Sequence, residues 1–115
     1  MKVVDVETYA VGAGWKNWLF VRVLTDEGLH GIGEATLNGF GRTCEAAVHE
    51  LGHLVIGSDP RQIRANAAAL HGRVSNEGGH IHRAAVAGIE TACWDILGKS
   101  LGVPVYQLLG GRLRD

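Results

Sequence analysis

Residues 49–53 read His-Glu-Leu-Gly-His. Two histidines four apart on a helix share a face and can both bind Zn²⁺, and the glutamate after the first can take a proton from a metal-bound water. The chemistry implied is zinc-dependent peptide hydrolysis by His49, Glu50 and His53. It needs a third ligand, for which Asp59 and Glu77 are the downstream carboxylates. The surroundings count against it. Ile56 stands three residues after His53, where one class of such sites has glycine, and Gly57 comes one place late. Met1 is the only methionine, so no methionine turn can lie beneath a metal. Pro60 directly after Asp59 reads as the first residue of a helix, which gives Asp59 the simpler work of capping it. Both histidines lie opposite the apolar stripe of their own helix, where solvated side chains belong.

Other constellations are thinner. His80-x-His82 could be a metal pair, but it stands at a helix start with no third partner at set spacing. Gly31-x-Gly33 and Gly39-x-Gly41 lack the third glycine and the βαβ setting of a dinucleotide fingerprint. The sequence has no G-x-S-x-G elbow and no phosphate loop ending in Gly-Lys-Ser/Thr. Cys44 and Cys93 both fall on apolar helical stripes, which makes them core thiols. Two thiols without C-x-x-C spacing make no disulfide framework and point to a reducing compartment, the cytoplasm.

The elements that must position these residues follow from periodicity. Residues 2–11 alternate as a strand, with Val4, Val6, Thr8 and Ala10 on one parity. Residues 17–25 put Trp18, Phe20, Arg22 and Leu24 on one face and Leu19, Val21, Val23 and Thr25 on the other. Both faces are mostly apolar, which marks the middle strand and leaves Arg22 in need of a partner. Asp26-Glu27-Gly28 is a hairpin turn with glycine where φ is positive. A third strand covers 29–37, with Ile32 between Gly31 and Gly33, a pattern that signals a bulge or a close backbone approach. Helices follow over 42–56, stopping at Gly57; then from Pro60, with Ile63, Ala67, Leu70 and Val74 on one stripe; and over 81–101. The last has apolar residues on several sides, and its Ala84, Ala85, Ala87, Gly88 and Ala92 allow close packing. Ser75–Gly79 reads as a loop, and Pro104 opens a short turn that Gly110-Gly111 closes. Strands first and helices after give an α+β domain, a three-stranded antiparallel meander followed by a helical bundle.

Composition agrees with one folded domain. The chain has 115 residues, 46% of them hydrophobic, and eleven Lys and Arg against twelve Asp and Glu. That balance gives no basic surplus for nucleic acid or an anionic membrane. No apolar run approaches the ~20 residues of a membrane helix, and Asp5 and Glu7 interrupt the place of a signal peptide's apolar region.

Four stretches together carry a family likeness: W-L-F-V-R-V-L-T-D-E-G at 18–28, G-I-G-E-A-T-L-N-G at 31–39, A-G-I-E-T-A-C-W-D-I-L-G-K at 87–99 and G-V-P-V-Y-Q-L-L-G-G at 102–111. In this order, over essentially the whole chain, they resemble the N-terminal capping domain of the enolase superfamily, in the mandelate racemase and muconate-lactonizing branch. Within that branch the chain is most similar to acid-sugar dehydratases of the galactonate and mannonate type. The resemblance implies a cap over 1–110, with 111–115 opening the linker to a (β/α) barrel of ~250 residues that the chain does not contain. It implies chemistry that removes the proton α to a carboxylate and stabilises the enediolate on Mg²⁺, held by the barrel and not by this chain. The Lys-x-Lys base motif is absent, as Lys2, Lys16 and Lys99 are the only lysines. The 115 residues alone are therefore expected to be inactive, with no catalytic residue among them.

The resemblance also gives the cap two loops that close over the barrel mouth and shield the substrate. They map to Val11–Asn17 and Thr36–Gly41. Trp15 could form an apolar wall, Lys16 could attract a carboxylate, and T-L-N-G resembles the mannonate-type loop in which an asparagine meets the substrate, which carries over to Asn38. The segment Gly72–Gly79 departs from the mannonate type, and Leu37-Asn38-Gly39 departs from the galactonate type, although E-A-A-V-H-E-L at 45–51 is shared with the latter. The implied partners are a sugar-acid substrate, the barrel and further copies of the full-length protein. In similar dehydratases the helix carrying H-E-L-G-H keeps its register without being a metal site. Zinc peptidase and stand-alone interaction module remain the alternatives on sequence.

Overall fold

The computed structural model describes residues 1–73 and 77–115. Strands β1 (Val3–Gly12), β2 (Asn17–Thr25) and β3 (His30–Glu34) precede helices α1 (Gly41–Gly52), α2 (Ile63–Gly72), α3 (Gly79–Leu101) and the single-turn α4 (Val105–Leu108). The sheet is an antiparallel meander in the order β1-β2-β3, so the expected α+β arrangement and the central place of β2 both hold. Gly28 turns the β2–β3 hairpin with φ of 82°, a conformation that costs glycine little.

One face of the sheet carries the core. Leu19, Val21 and Val23 of β2 and Val3 and Val6 of β1 are buried against Cys44, Val48 and Leu51 of α1 and Ala85, Ile89, Ala92 and Ile96 of α3. The tightest packing lies between β3 and α3. A Cβ on Gly31 would stand 1.9 Å from the carbonyl oxygen of Ala92, and one on Gly33 would stand 1.9 Å from that of Gly88. Gly88 is itself boxed in, since a Cβ there would lie 2.8 Å from Val21 and 2.9 Å from Ala35. The G-I-G pattern therefore marks a close backbone approach, with Ile32 turned out to solvent between the two glycines.

The free edge of β3 is covered by the same helix. Asp95 Oδ2 accepts the Ile32 N–H at 2.9 Å and an Nζ–H of Lys99 at 2.7 Å, and Lys99 Nζ also donates to the His30 carbonyl at 2.7 Å. An unpaired strand edge is a template for another strand. Here two side chains one helical turn apart occupy its donor and acceptor.

Several boundaries differ from the sequence reading, each for a local reason. A register shift between Val3 and Asp5 turns Val3 into the core and leaves Val4 exposed, because a bulge reverses the parity on one side of it. The second face of β2 is only half-buried. Its Arg22 finds an ionic partner in cross-strand Glu7, Nε to Oε2 3.4 Å. β3 ends at Glu34 rather than 37 because the Leu19 N–H, bonded by a backbone carbonyl in a longer ladder, is taken by Thr36 Oγ1 at 3.0 Å. Helix α1 ends at Gly52, not 56. The chain must swing back so that Gly57 N–H reaches the Val3 carbonyl at 2.8 Å and Val3 N–H reaches that of Ser58 at 2.9 Å, and Leu54 is thereby turned outward.

Asp59 does not cap α2, which begins only at Ile63 with Gln62 before it. Its carboxylate accepts the backbone N–H of Arg61 at 2.9 Å and the guanidinium at 2.7 Å. This pairing holds the Asp59 carboxyl down to about 2. Val74 lies outside the described residues, as do residues 75 and 76 of the expected loop. Among the described residues no helix is long and apolar enough to cross a membrane.

Two predictions follow from the β3–α3 contact. Gly33→Ala lowers stability by about 3 kcal/mol or more, because backbone rather than a movable side chain opposes the methyl group. Gly12→Ala, where a Cβ meets Asn17 Oδ1 at an ordinary 3.7 Å, costs under about 1 kcal/mol; urea denaturation of the pair reads the difference. Asp95→Leu uncovers the β3 edge, costs roughly 1–2 kcal/mol and produces concentration-dependent self-association, measured by light scattering after size exclusion.

Candidate functional site

The meander fixes where the two loops meet. In an antiparallel order the start of β2 and the end of β3 are neighbours: Phe20 pairs Glu34, and the Ala35 N–H reaches the Leu19 carbonyl at 2.8 Å. The β1–β2 turn and the chain leaving β3 therefore emerge at the same end of the sheet. The first is a tight turn closed by the Ala13 N–H on the Lys16 carbonyl at 2.9 Å, with Trp15 at its tip and 77% exposed. The second is the turn Leu37–Phe40, closed by the Phe40 N–H on the Leu37 carbonyl at 3.1 Å. Asn38-Gly39 forms its centre, a pair suited to turns, and α1 starts directly after it.

Between the loops lies a hollow of about 560 Å³, lined by Gly14, Trp15, Lys16 and Asn17 from the first loop and by Leu37 to Thr43 from the second and the first turn of α1. All three residues singled out in the sequence, Asn38, Trp15 and Lys16, line it together. Lys16 Nζ stands 3.7 Å from the centroid of the Trp18 ring and 4.8 Å from that of Trp15, within cation–π range of both. Sequence reasoning singled out neither Arg42 nor Thr43, which complete the lining. A signal was available: the first turn of α1 holds no acidic residue, and an arginine there opposes the helix dipole.

The lining contains Lys16 and Arg42 but no carboxylate. Asn17, Asn38 and Thr43 add neutral donors and acceptors, and Trp15 and Phe40 add exposed aromatic surface. Such a surface can hold an anionic, hydroxyl-bearing ligand and exclude water from it. With no imidazole, carboxylate or thiol facing the hollow, it has no ordinary group for taking a proton from carbon.

The histidine motif does not assemble a metal site. His49 Nε2 is 2.8 Å from Thr8 Oγ1, whose hydroxyl donates to Glu45 at 2.8 Å. A carboxylate cannot donate in return, so His49 donates to Thr8 and pins α1 to β1. His53 falls beyond the last residue of α1 and lines a separate hollow with Glu50, Arg73 and His82. Asp59, the nearer candidate third ligand, is held by Arg61. His80 is exposed, whereas His82 is buried and donates Nε2–H to the Leu70 carbonyl at 3.1 Å. Among the described residues no three His, Cys, Asp or Glu side chains are grouped to hold a metal ion. They fit neither Zn²⁺ nor the Mg²⁺ that the resemblance assigns to a barrel.

Cys44 and Cys93 are free and buried. Burial raises the Cys44 thiol, which donates to the Ala35 carbonyl at 3.1 Å. Burial, with Glu90 adding to it, pushes Cys93 up to about 12. Both therefore stay protonated and unreactive at neutral pH.

Comparison with known proteins agrees with this fold. Residues 6–110 match the mandelate racemase / muconate lactonizing enzyme, N-terminal domain. The chain is 48% identical over all 115 residues to D-galactonate dehydratases of Variovorax paradoxus and Pectobacterium atrosepticum, and spans 29% of the length of each. Among solved structures, it superposes on an enolase from Pantoea ananatis with bound D-gluconate and Mg at a TM-score of 0.92 and 34% identity, covering 99% of this chain and 28% of that one. A member of the enolase superfamily from Salmonella Typhimurium gives 0.90 and 34%, covering 99% and 30%. This chain belongs to the mandelate racemase / muconate lactonizing enzyme family of the enolase superfamily, as its N-terminal domain.

Proposed function

We propose that this chain is the substrate-gating cap of a Mg²⁺-dependent acid-sugar dehydratase, residues 1–110 forming the cap and 111–115 opening the linker to a catalytic barrel. The observation that carries the reading is the convergence of Asn38, Trp15 and Lys16, from two loops far apart in sequence, on one hollow. The galactonate dehydratase relatives and the gluconate-bound neighbour support an open-chain sugar acid as the substrate class. The reaction is loss of water after removal of the proton α to the carboxylate, and the barrel supplies the metal and the groups that move the proton.

The residues of this chain bind and shield. The Asn38 amide offers one acceptor and two donors to substrate hydroxyls. Trp15 lays an apolar wall over the ligand and keeps water out, and Lys16 presents a positive charge to an acid. The reading extends to a cytoplasmic homo-oligomer of the whole enzyme.

In the enzyme that joins this cap to its barrel, Asn38→Ala lowers kcat/KM for its acid sugar by about 10-fold, and Trp15→Ala by about 3-fold, with the circular dichroism spectrum unchanged. A panel of acid sugars, including galactonate, gluconate and mannonate, measures this. Unchanged kcat/KM for Asn38→Ala across the panel removes Asn38 from the site.

A further inference from the structure

We infer that Arg42, with Lys16, makes the hollow an electrostatic receiver that draws an anionic substrate into the cap, and that Arg42 is the principal charge. The inference rests on the substrate-gating reading above and adds to it the residue and the force by which the ligand is captured.

The charge distribution is the first ground. The molecule carries a formal net charge of −1, yet the lining of this hollow carries two cations and no acid. A concave surface of one sign, walled by low-dielectric side chains, concentrates its field and raises the local concentration of ligands of opposite sign.

The second ground is the difference between the two cations. Lys16 is held over the Trp18 and Trp15 rings, which restrains it from turning to a ligand. Arg42 is exposed and, among the described residues, forms no ion pair. Glu45 shares with it the smaller adjoining recess of about 260 Å³, and already accepts the hydroxyl of Thr8.

The third ground is cost. A cation in the first turn of a helix opposes the helix dipole, and α1 has neither an acidic residue there nor a side-chain cap to offset it. The dipole and capping at the start of α1 give no reason for an arginine at position 42, whereas attraction of an anion to the hollow does.

The guanidinium is charged at every working pH and presents paired donors in one plane. It suits a carboxylate arriving from solvent, and equally the vicinal hydroxyls of a sugar acid once inside. A capture role makes a claim that a packing role does not: the association step depends on ionic strength through Arg42. The Debye length falls from ~30 Å at about 10 mM salt to ~10 Å at about 0.1 M, so the field of the hollow is progressively screened over that range.

The test uses the full-length enzyme carrying this cap and follows kcat/KM from about 10 mM to about 0.1 M NaCl, for wild type, Arg42→Gln and Arg42→Lys. Wild type is expected to lose several-fold in kcat/KM across the range, with a slope roughly twice as steep for a diacid sugar as for a monoacid, since the attraction scales with ligand charge. Arg42→Gln is expected to lower kcat/KM at low salt by ~3–10-fold, the loss residing in KM, and to flatten the salt dependence. Arg42→Lys, which keeps the charge, is expected to keep the slope. Turnover by Arg42→Gln with the wild-type salt slope, or a loss confined to kcat, overturns the capture role while leaving the gating reading intact. Failure of the wild type to turn over any acid sugar overturns the gating reading, and this inference with it.

Discussion

The contact on which the rest of the domain depends is backbone against backbone. At Gly31 and Gly33 the β3 strand lies so near α3 that no side chain fits between them, and a methyl group would sit 1.9 Å from the carbonyl oxygen of Ala92 or Gly88. Everything else takes its position from that approach. It presses α3 onto the sheet, so that Ile89 and Ile96 are sealed together with Val21 and Val23. It brings Asp95 and Lys99 within reach of the β3 edge, where longer packing distances would leave their hydrogen bonds unmade. Side chains are the usual filler of protein interiors, and leaving them out at three facing positions turns a sheet and a helix into one rigid body.

That rigidity matters because the candidate site is built largely on loops, completed by the first turn of α1. Loops carry binding residues best when a fixed scaffold holds their ends. Here one loop hangs from the β1–β2 hairpin, and the other is suspended between Thr36, whose hydroxyl ends the ladder, and the first turn of α1. The antiparallel order puts both at one end of the sheet, while the Asp26–Gly28 turn goes to the other. Cys44 ties the second loop inward, since its thiol donates to the Ala35 carbonyl just before the loop begins. The exposed Asn38 thus stands on a loop whose anchors, Ala35 and Cys44, are themselves buried.

How much of this was legible in the sequence follows from where the forces are local. Strand order, the Gly28 turn and the meaning of Gly31-Ile32-Gly33 depend on alternation and on glycine, both of which a single chain displays. The bulge beside Val4 and the early end of α1 depend on pairing between Val3 and residues 57–58, which periodicity cannot reveal. Asp59 misled because a serine, an aspartate and a proline in a row fit a helix start, while the winning interaction was a short loop bond to Arg61. Arg42 was passed over for a related reason. On a helical wheel it lies among polar residues, and only the fold shows that its end of the helix faces a hollow shared with Lys16.

The His-Glu-Leu-Gly-His segment shows why a compact motif can carry less than a diffuse pattern. Its spacing puts two imidazoles near one face, and His53 keeps helical backbone angles, but a metal site also needs both rings free to turn to one ion. Gly52 packs against Val6 so closely that even a Cβ would be 3.1 Å away, and α1 stops there. His49 is left on the last turn and His53 beyond it, one bonded to Thr8 of β1 and the other facing a different recess. Nothing in the five letters encodes the bond to Thr8, which lies on a strand 41 residues earlier. The four longer stretches, by contrast, include the residues that make the fold: the glycines of β3, Gly88 and Ala92 that receive them, and Asp95 and Lys99 that close the edge. Their joint presence is specific because each is needed by another. A motif whose members depend on one another through packing constrains the structure, whereas one that depends only on helical spacing leaves the metal site to chance.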